Sequence, residues 1–320
     1  MPCQTDYLDA EDQQKLFCYQ WLPDAGEPRA WVLISHGMAE HAGRYDWLAE
    51  QLNQAGYAVM ALDQRGHGKS VTGRSGQFAD FDGWHKVVGD IGLLRQRAMA
   101  VFAGIPVFLL GHSMGSYIVQ GYLLEHATGL AGVVLSGSNA HPPVVSKVGR
   151  LAAGIEGRLR GWDRPAVTLG KLTFGQFNSA FKPTRTEFDW LSRDPAQVDA
   201  YMADPLCGFD CTARLWHDLF GGLLEIADSR RLGQIPATLP VHIMGGTADP
   251  VSAGNGLTRL QTRLTNAGLT AVTLQLYDAA RHEIFNETNR QQVTADLLEW
   301  LAARLPAPSS QATETADVTA

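Results

Sequence analysis

No apolar run in this sequence reaches the ~18 residues that would cross a bilayer, and its opening stretch, MPCQTDYLDAEDQQ, lacks the basic flank and apolar core of a secretory signal. A soluble, cytoplasmic protein is expected. Charge is scarce as well: Asp, Glu, Lys and Arg make up 18 % of 320 residues, the net charge is -7, and no basic stripe offers itself to phosphates. Nucleic acid is excluded as a partner class. Cys3, Cys18, Cys207 and Cys211 follow no disulfide framework, and Cys207 and Cys211 lack the paired Cys or His ligands of a zinc site. Four free thiols and no metal are expected.

What is present is apolar, 45 % of the chain, enough for one large domain or one domain carrying a sizeable insertion. Short runs rich in β-branched residues predict strands over 15–22, 30–35, 57–62, 106–110, 131–135, 240–244 and 271–277. Helical spacing fills most of the gaps, as in RYDWLAEQLNQAG before the Gly56 stop and WHKVVGDIGLLRQRAMAVFAG before Gly104. This alternation predicts an α/β fold with a mainly parallel central sheet flanked by helices, binding ligands at the carboxyl ends of its strands.

One interval breaks the rhythm, because roughly 100 residues lie between the strands ending near Ser136 and starting at Pro240, where a crossover helix needs only ~10 to 15. Something is inserted. Residues 138–239 are expected to form a helical cap, from patterns such as PPVVSKVGRLAAGIEGRL and TARLWHDLFGGLLEIADSR, between core segments 1–137 and 240–305. Phe174, Phe177 and Phe181, at near-helical spacing, are read as cap core. The apolar cap helices suggest transient contact with a membrane or micelle surface. Residues 306–320, PAPSSQATETADVTA, lack apolar periodicity and are expected to be disordered.

The sharpest motif is LLGHSMGSYI at 109–118. With 33 glycines in the chain a G-x-S-x-G match is weak by itself. Context strengthens it: the motif follows the strand PVFLL and opens the helical pattern SYIVQGYLLEHA, the strand-turn-helix setting of a nucleophile elbow. Such a turn strains the backbone of Ser113, and Gly111 and Gly115 leave room for strand and helix to approach.

A hydroxyl needs a base to become a nucleophile, and the base needs an orienting acid. His282, in AARHEIFNE after the last predicted strand, fits the base, and Asp249, in GGTADPVS after the preceding strand, fits the acid. Asp278 is the fallback acid. The order Ser, Asp, His is that of α/β-hydrolases. The oxyanion would be held by backbone amides, Met114 after the nucleophile and Met38 in the loop SHGMAEHAGRY. His36 and His41 in that loop form no H-E-x-x-H zinc pattern. Asp63, Arg65, His67 and His112 are read as packing and hydrogen-bonding residues.

Two rival readings weaken on inspection. GHGKS resembles the tail of a P-loop, but Asp63 stands where its first glycine belongs, and a dinucleotide fingerprint fails because Val71 stands where the third glycine belongs. A binding module on the same fold would not need Ser113, Asp249 and His282 together. An acceptor other than water, or an amide or thioester substrate, stays open.

Taken together, SHGMAEHAGRY, ALDQRGHGKS, GHSMGS, GTADPVS and RHEIFNE resemble the motifs of monoacylglycerol lipase and lysophospholipase-type α/β-hydrolases, grouped with serine aminopeptidase-like hydrolases. The resemblance runs from about residue 15 to 303 and implies an esterase for a single long acyl chain, reached through a mobile, apolar cap, with no cofactor. It matches Ser113, Asp249 and His282 to the family triad and the amides of Met38 and Met114 to its oxyanion donors. Met38 departs from the small residue often found there, which implies a narrower acyl channel and unchanged backbone chemistry.

Overall fold

The computed structural model describes residues 3–252 and 254–305, so the expected tail at 306–320 lies outside the described residues. The first half of the chain forms β1 (Gln4–Asp9), β2 (Lys15–Trp21), β3 (Trp31–Ser35), α1 (Asp46–Gln54), β4 (Ala58–Leu62), α2 (Gly83–Val101), β5 (Val107–His112), α3 (Met114–His126) and β6 (Gly132–Ser136). Five helices follow before the sheet resumes: α4 (Pro143–Arg160), α5 (Val167–Phe177), α6 (Pro195–Ala203), α7 (Ala213–Glu225) and α8 (Ser229–Leu232). The chain then returns through β7 (Val241–Gly246), α9 (Gly256–Asn266), β8 (Val272–Tyr277) and α10 (Arg290–Ala302).

The eight strands form one sheet in the order β1-β2-β4-β3-β5-β6-β7-β8, antiparallel at the β1/β2 and β2/β4 pairs and parallel elsewhere. Side-chain alternation divides each central strand between two apolar layers. Trp31, Leu33, Met60 and Leu109 face the layer closed by α2, α3 and α9, while Val32, Ile34, Val59 and Phe108 face the layer closed by α1 and α10. Burial on both faces makes these strands read as continuous apolar runs.

β1 was not among the predicted strands. Its sequence QTDYLD is exposed except for half-buried Leu8, so it carries no apolar period, and its ladder with β2 from Gln4↔Gln20 to Asp9↔Lys15 holds it in place. The topology also fixes where a site can form. From β3 the chain moves to β4 on one side and then crosses to β5 on the other, which opens a crevice beyond the carboxyl ends of β3 and β5.

Between β6 and β7 the helices α4 to α8 lie in the interval the sequence marked as inserted. Leu215, Trp216, Leu219 and Leu223 of α7 join the main core, whereas α4 packs outside α7 with Val144, Val148, Leu151, Ile155 and Leu159 turned outward. Phe177 and Phe181 pack against Trp190, Leu191 and Tyr201. Among the described residues no helix is long and apolar enough to cross a membrane. All four cysteines are free thiols.

Candidate active site

Ser113 sits between β5 and α3 with φ at 51°, a left-handed backbone that non-glycine residues avoid. Its surroundings explain the two flanking glycines. A Cβ at Gly111 would lie 2.6 Å from the Gly115 carbonyl oxygen, and one at Gly115 would overlap the Ser35 carbonyl. The turn is pinned by Ser113 N–H donating to Ser136 O at 2.9 Å and by the Ser116 N–H and hydroxyl donating to Ser113 O.

Across the crevice, His282 Nδ1 lies 3.0 Å from Asp249 Oδ1, with both side chains buried. The same carboxylate oxygen accepts the Val251 N–H at 2.8 Å, which holds Asp249 toward the ring. Asp278, the fallback acid, is exposed and bonded instead to the Thr247 hydroxyl, 3.4 Å away. Ser113, His282 and Met38 line one cavity of about 740 Å³, within the roughly 300–1,000 Å³ range of small-molecule sites. Val167, Gly170, Phe188, Trp190 and Phe209 supply part of its apolar wall, and Asn178, Thr186 and Glu187 part of its polar one. Met114 is buried at the first turn of α3, where helix N–H groups lack internal partners.

Electrostatics separate His282 from the histidines around it. Burial holds His67 and His112 down at about 4, His112 further by the charge of His282, and burial with the neighbouring His67 pushes His36 well below the usual value. His282 goes the other way. Burial by itself would lower it, but the carboxylates of Asp249, Glu283 and Glu40 outweigh that and raise it above the ordinary histidine value. His112 packs against His282 with ring centres 4.8 Å apart and meets the Ser136 hydroxyl, in keeping with a packing and hydrogen-bonding residue.

The loop DQRGHGKS forms a bracket. Asp63 accepts the N–H groups of Ala42 and Lys69 at 2.8 and 2.7 Å, Arg65 pairs with Asp90 and Asp12, and His67 Nδ1 donates to the Arg65 carbonyl. Lys69 lies over the Phe17 ring. His36 and His41 diverge. His36 bonds the Gly37 carbonyl and the Gln64 N–H, and His41 Nε2 meets Asp204 Oδ2 at 2.8 Å. Among the described residues His41, Asp204 and Cys207 form the one cluster with metal-ligand spacing. The Gly43 N–H donates to His41 Nδ1, which leaves the ring proton on Nε2 facing Asp204, as a hydrogen bond requires and a metal ligand does not.

Several neighbours of the site carried no local signal. The Trp190 ring packs against His282 with centres 5.1 Å apart while the Trp190 carbonyl accepts the His282 N–H, and the Glu283 N–H donates to Leu191 O at 2.8 Å. The Tyr201 hydroxyl donates to Ala39 O at 2.9 Å. Glu40 and Arg44 stand in the motif SHGMAEHAGRY, but Glu283, which shares the Arg44 guanidinium with Glu40, lies 239 residues beyond Arg44.

The family described as Serine aminopeptidase, S33 matches residues 26–289. A monoacylglycerol lipase of Mycolicibacterium smegmatis is 31 % identical over 89 % of this chain and 92 % of its own, and a monoglyceride lipase of Mus musculus is 32 % identical over 94 % and 91 %. A thermostable carboxyl esterase from Bacillus coagulans superposes on 95 % of this chain and 99 % of its own with a TM-score of 0.86 and 27 % identity. The mainly parallel sheet expected from the strand and helix pattern, and the α/β-hydrolase fold expected from the Ser, Asp, His order and the resemblance, are borne out by these likenesses and by the sheet order. The chain belongs to the family described as Serine aminopeptidase, S33, and is similar over most of its length to bacterial and mammalian monoglyceride lipases.

Proposed function

We propose that this ester hydrolase cleaves single-acyl lipids, monoacylglycerol or lysophospholipid, through an acyl-enzyme on Ser113. The observation that carries the reading is the His282–Asp249 hydrogen bond opening onto the same cavity as the strained Ser113. His282 takes the Ser113 proton as the hydroxyl attacks the ester carbonyl, and Asp249 orients the imidazole and stabilises its charge. The amides of Met38 and Met114 receive the oxyanion. After His282 protonates the leaving alcohol, it activates water to release the fatty acid, and turnover falls as the pH drops through its titration.

In this reading residues 138–239 act as a cap over the site, and α4 meets the lipid surface. Its outward apolar residues share the helix with exposed Lys147, Arg158 and Arg160, the composition of an interfacial helix.

The test is hydrolysis of monoacylglycerols, lysophospholipids, short-chain esters and an aminoacyl amide by wild type and Ser113→Ala. Fastest turnover of a long-chain monoacyl lipid, with the variant down on the order of 10⁶-fold, is expected. Exclusive turnover of short esters would remove the lipid assignment and keep the triad, and an active Ser113→Ala would remove both.

A further inference from the structure

Two stretches assigned to the reaction, the turn at 37–40 and the loop at 282–283, are joined by one side chain. Arg44 donates Nη1 and Nη2 to the two Glu283 oxygens at 2.7 Å each, and its Nη1 also reaches Glu40 Oε2 at 2.6 Å. The other Glu40 oxygen accepts the Gly37 N–H at 2.5 Å and the Tyr45 hydroxyl at 3.0 Å. From the cap, the Tyr201 ring covers the guanidinium at 4.8 Å, and its hydroxyl and the Gly208 N–H both bind Ala39 O. Arg44, Glu40 and Glu283 keep only 11, 4 and 7 % of their side-chain surface.

Bidentate, charge-assisted bonds between buried groups fix relative position more tightly than an exposed pair could. Glu40 occupies the Gly37 amide, so the amide this turn has left to offer an oxyanion is the next one, at Met38. Gly37 itself lies against the nucleophile, because a Cβ there would sit 3.3 Å from Ser113 Cβ. Two carboxylates around one guanidinium also leave a net negative charge beside the base.

We propose that Arg44 is a positioning residue: by clamping Glu40 to Glu283 it fixes the Met38 amide relative to His282 and sets the charge His282 senses. The proposal rests on the roles assigned above to Ser113, His282 and Met38. The groups acting on the His282 ring are Asp249 on the acid loop, His112 beside the nucleophile, Glu40 on the oxyanion loop and its own neighbour Glu283, and Arg44 acts on it through the two glutamates it pairs with. The cap presents the indole of Trp190. Removing the guanidinium leaves two uncompensated carboxylates, which favour the imidazolium, so the acid limb of the pH profile moves up. Neutralising Glu283 moves it down.

The experiment compares full-length wild type, Arg44→Gln, Arg44→Lys, Glu283→Gln and Ser113→Ala on a soluble short-chain ester, with active sites counted by an irreversible organophosphonate. Arg44→Gln is expected to lose about 100-fold in kcat per labelled site with KM held within about twofold, the scale of a small misplacement of reacting groups. Its acid limb is expected to rise by about half a pH unit or more. Arg44→Lys recovers roughly a tenth of the wild-type kcat, keeping charge and losing the fork. If Arg44→Gln yields no labelled protein, Glu283→Gln decides: a downward limb supports the clamp and an unmoved limb overturns it. A residue serving only the fold would lower the count of labelled sites and leave kcat per site and the limb unchanged, which also overturns it. Ser113→Ala separates the levels, since an active Ser113→Ala sinks the mechanism itself, whereas an inactive one beside unaffected Arg44 variants sinks the clamp alone.

Discussion

Two parts of the segment between β6 and β7 are built on opposite rules. Its outer helix α4 turns Val144, Val148, Leu151 and Leu159 into solvent, Leu159 with 80 % of its surface exposed. Residues 189–193 turn inward and are bonded to the loop at 281–287. Leu191 O accepts the Glu283 N–H, the Ser192 hydroxyl donates to Asn286 O, Arg193 pairs with Glu287, and Arg281 stacks over Phe181 and reaches the carbonyls of Asp189 and Ser192. The difference teaches that one continuous segment between two strands can hold both a fixed jaw and a free rim. Tertiary hydrogen bonds make the jaw, and unpaired apolar area makes the rim.

The comparison breaks most sharply at Trp190. Trp190→Ala removes a buried indole packed on His282 and Phe177, so a loss of about 3–5 kcal/mol in urea unfolding is expected, together with reduced kcat on a soluble ester. Wild-type stability and turnover in that variant would show that the inner stretch is no jaw at all. A smaller break is Glu287→Gln. The carboxylate accepts the N–H groups of Arg193, Arg281 and Thr288 and the Arg193 guanidinium, so about 2 kcal/mol is expected to be lost, read as a lower melting temperature.

At the rim the expectation reverses. The double change Leu151→Gln and Leu159→Gln should alter stability by no more than about 0.5 kcal/mol, because both side chains are exposed and glutamine suits a helix. Turnover of a soluble ester should stay unchanged while co-sedimentation with phospholipid vesicles falls, and equal sedimentation would remove the lipid-facing role of α4. Lys69→Ala should have the least effect on turnover, because it keeps the Lys69 N–H that Asp63 accepts and removes only an ammonium lying over the Phe17 ring. A large loss of activity there would mean that the bracket around Asp63 reaches the site.

Much of the fold was legible because its forces are local. The central strands are buried on both faces and therefore read as apolar runs, and Gly111 and Gly115 marked the elbow because only glycine fits against the Gly115 and Ser35 carbonyls. Strand β1 escaped because an exposed edge strand has no burial period to display. Ser113, Asp249 and His282 could be placed because each follows a strand that reads clearly. Trp190, Tyr201 and the Glu40–Arg44–Glu283 group could not, because their meaning lies in partners far along the chain. A sequence shows Arg44 as one more charge, and the fold gives it two carboxylates and a ring.

The bonds from residues 190–193 to the loop that carries His282 set a limit on recombination. Exchanging 138–239 for the corresponding segment of a relative transplants more than a lid, because the donor must also supply a carbonyl at position 190, a ring over the imidazole and a cation for Glu287. The usable crossover points for new specificity therefore lie inside the insertion, on either side of α4 and α5. There a foreign segment can change the mouth of the cavity while the native stretch from 188 onward keeps its hold on His282.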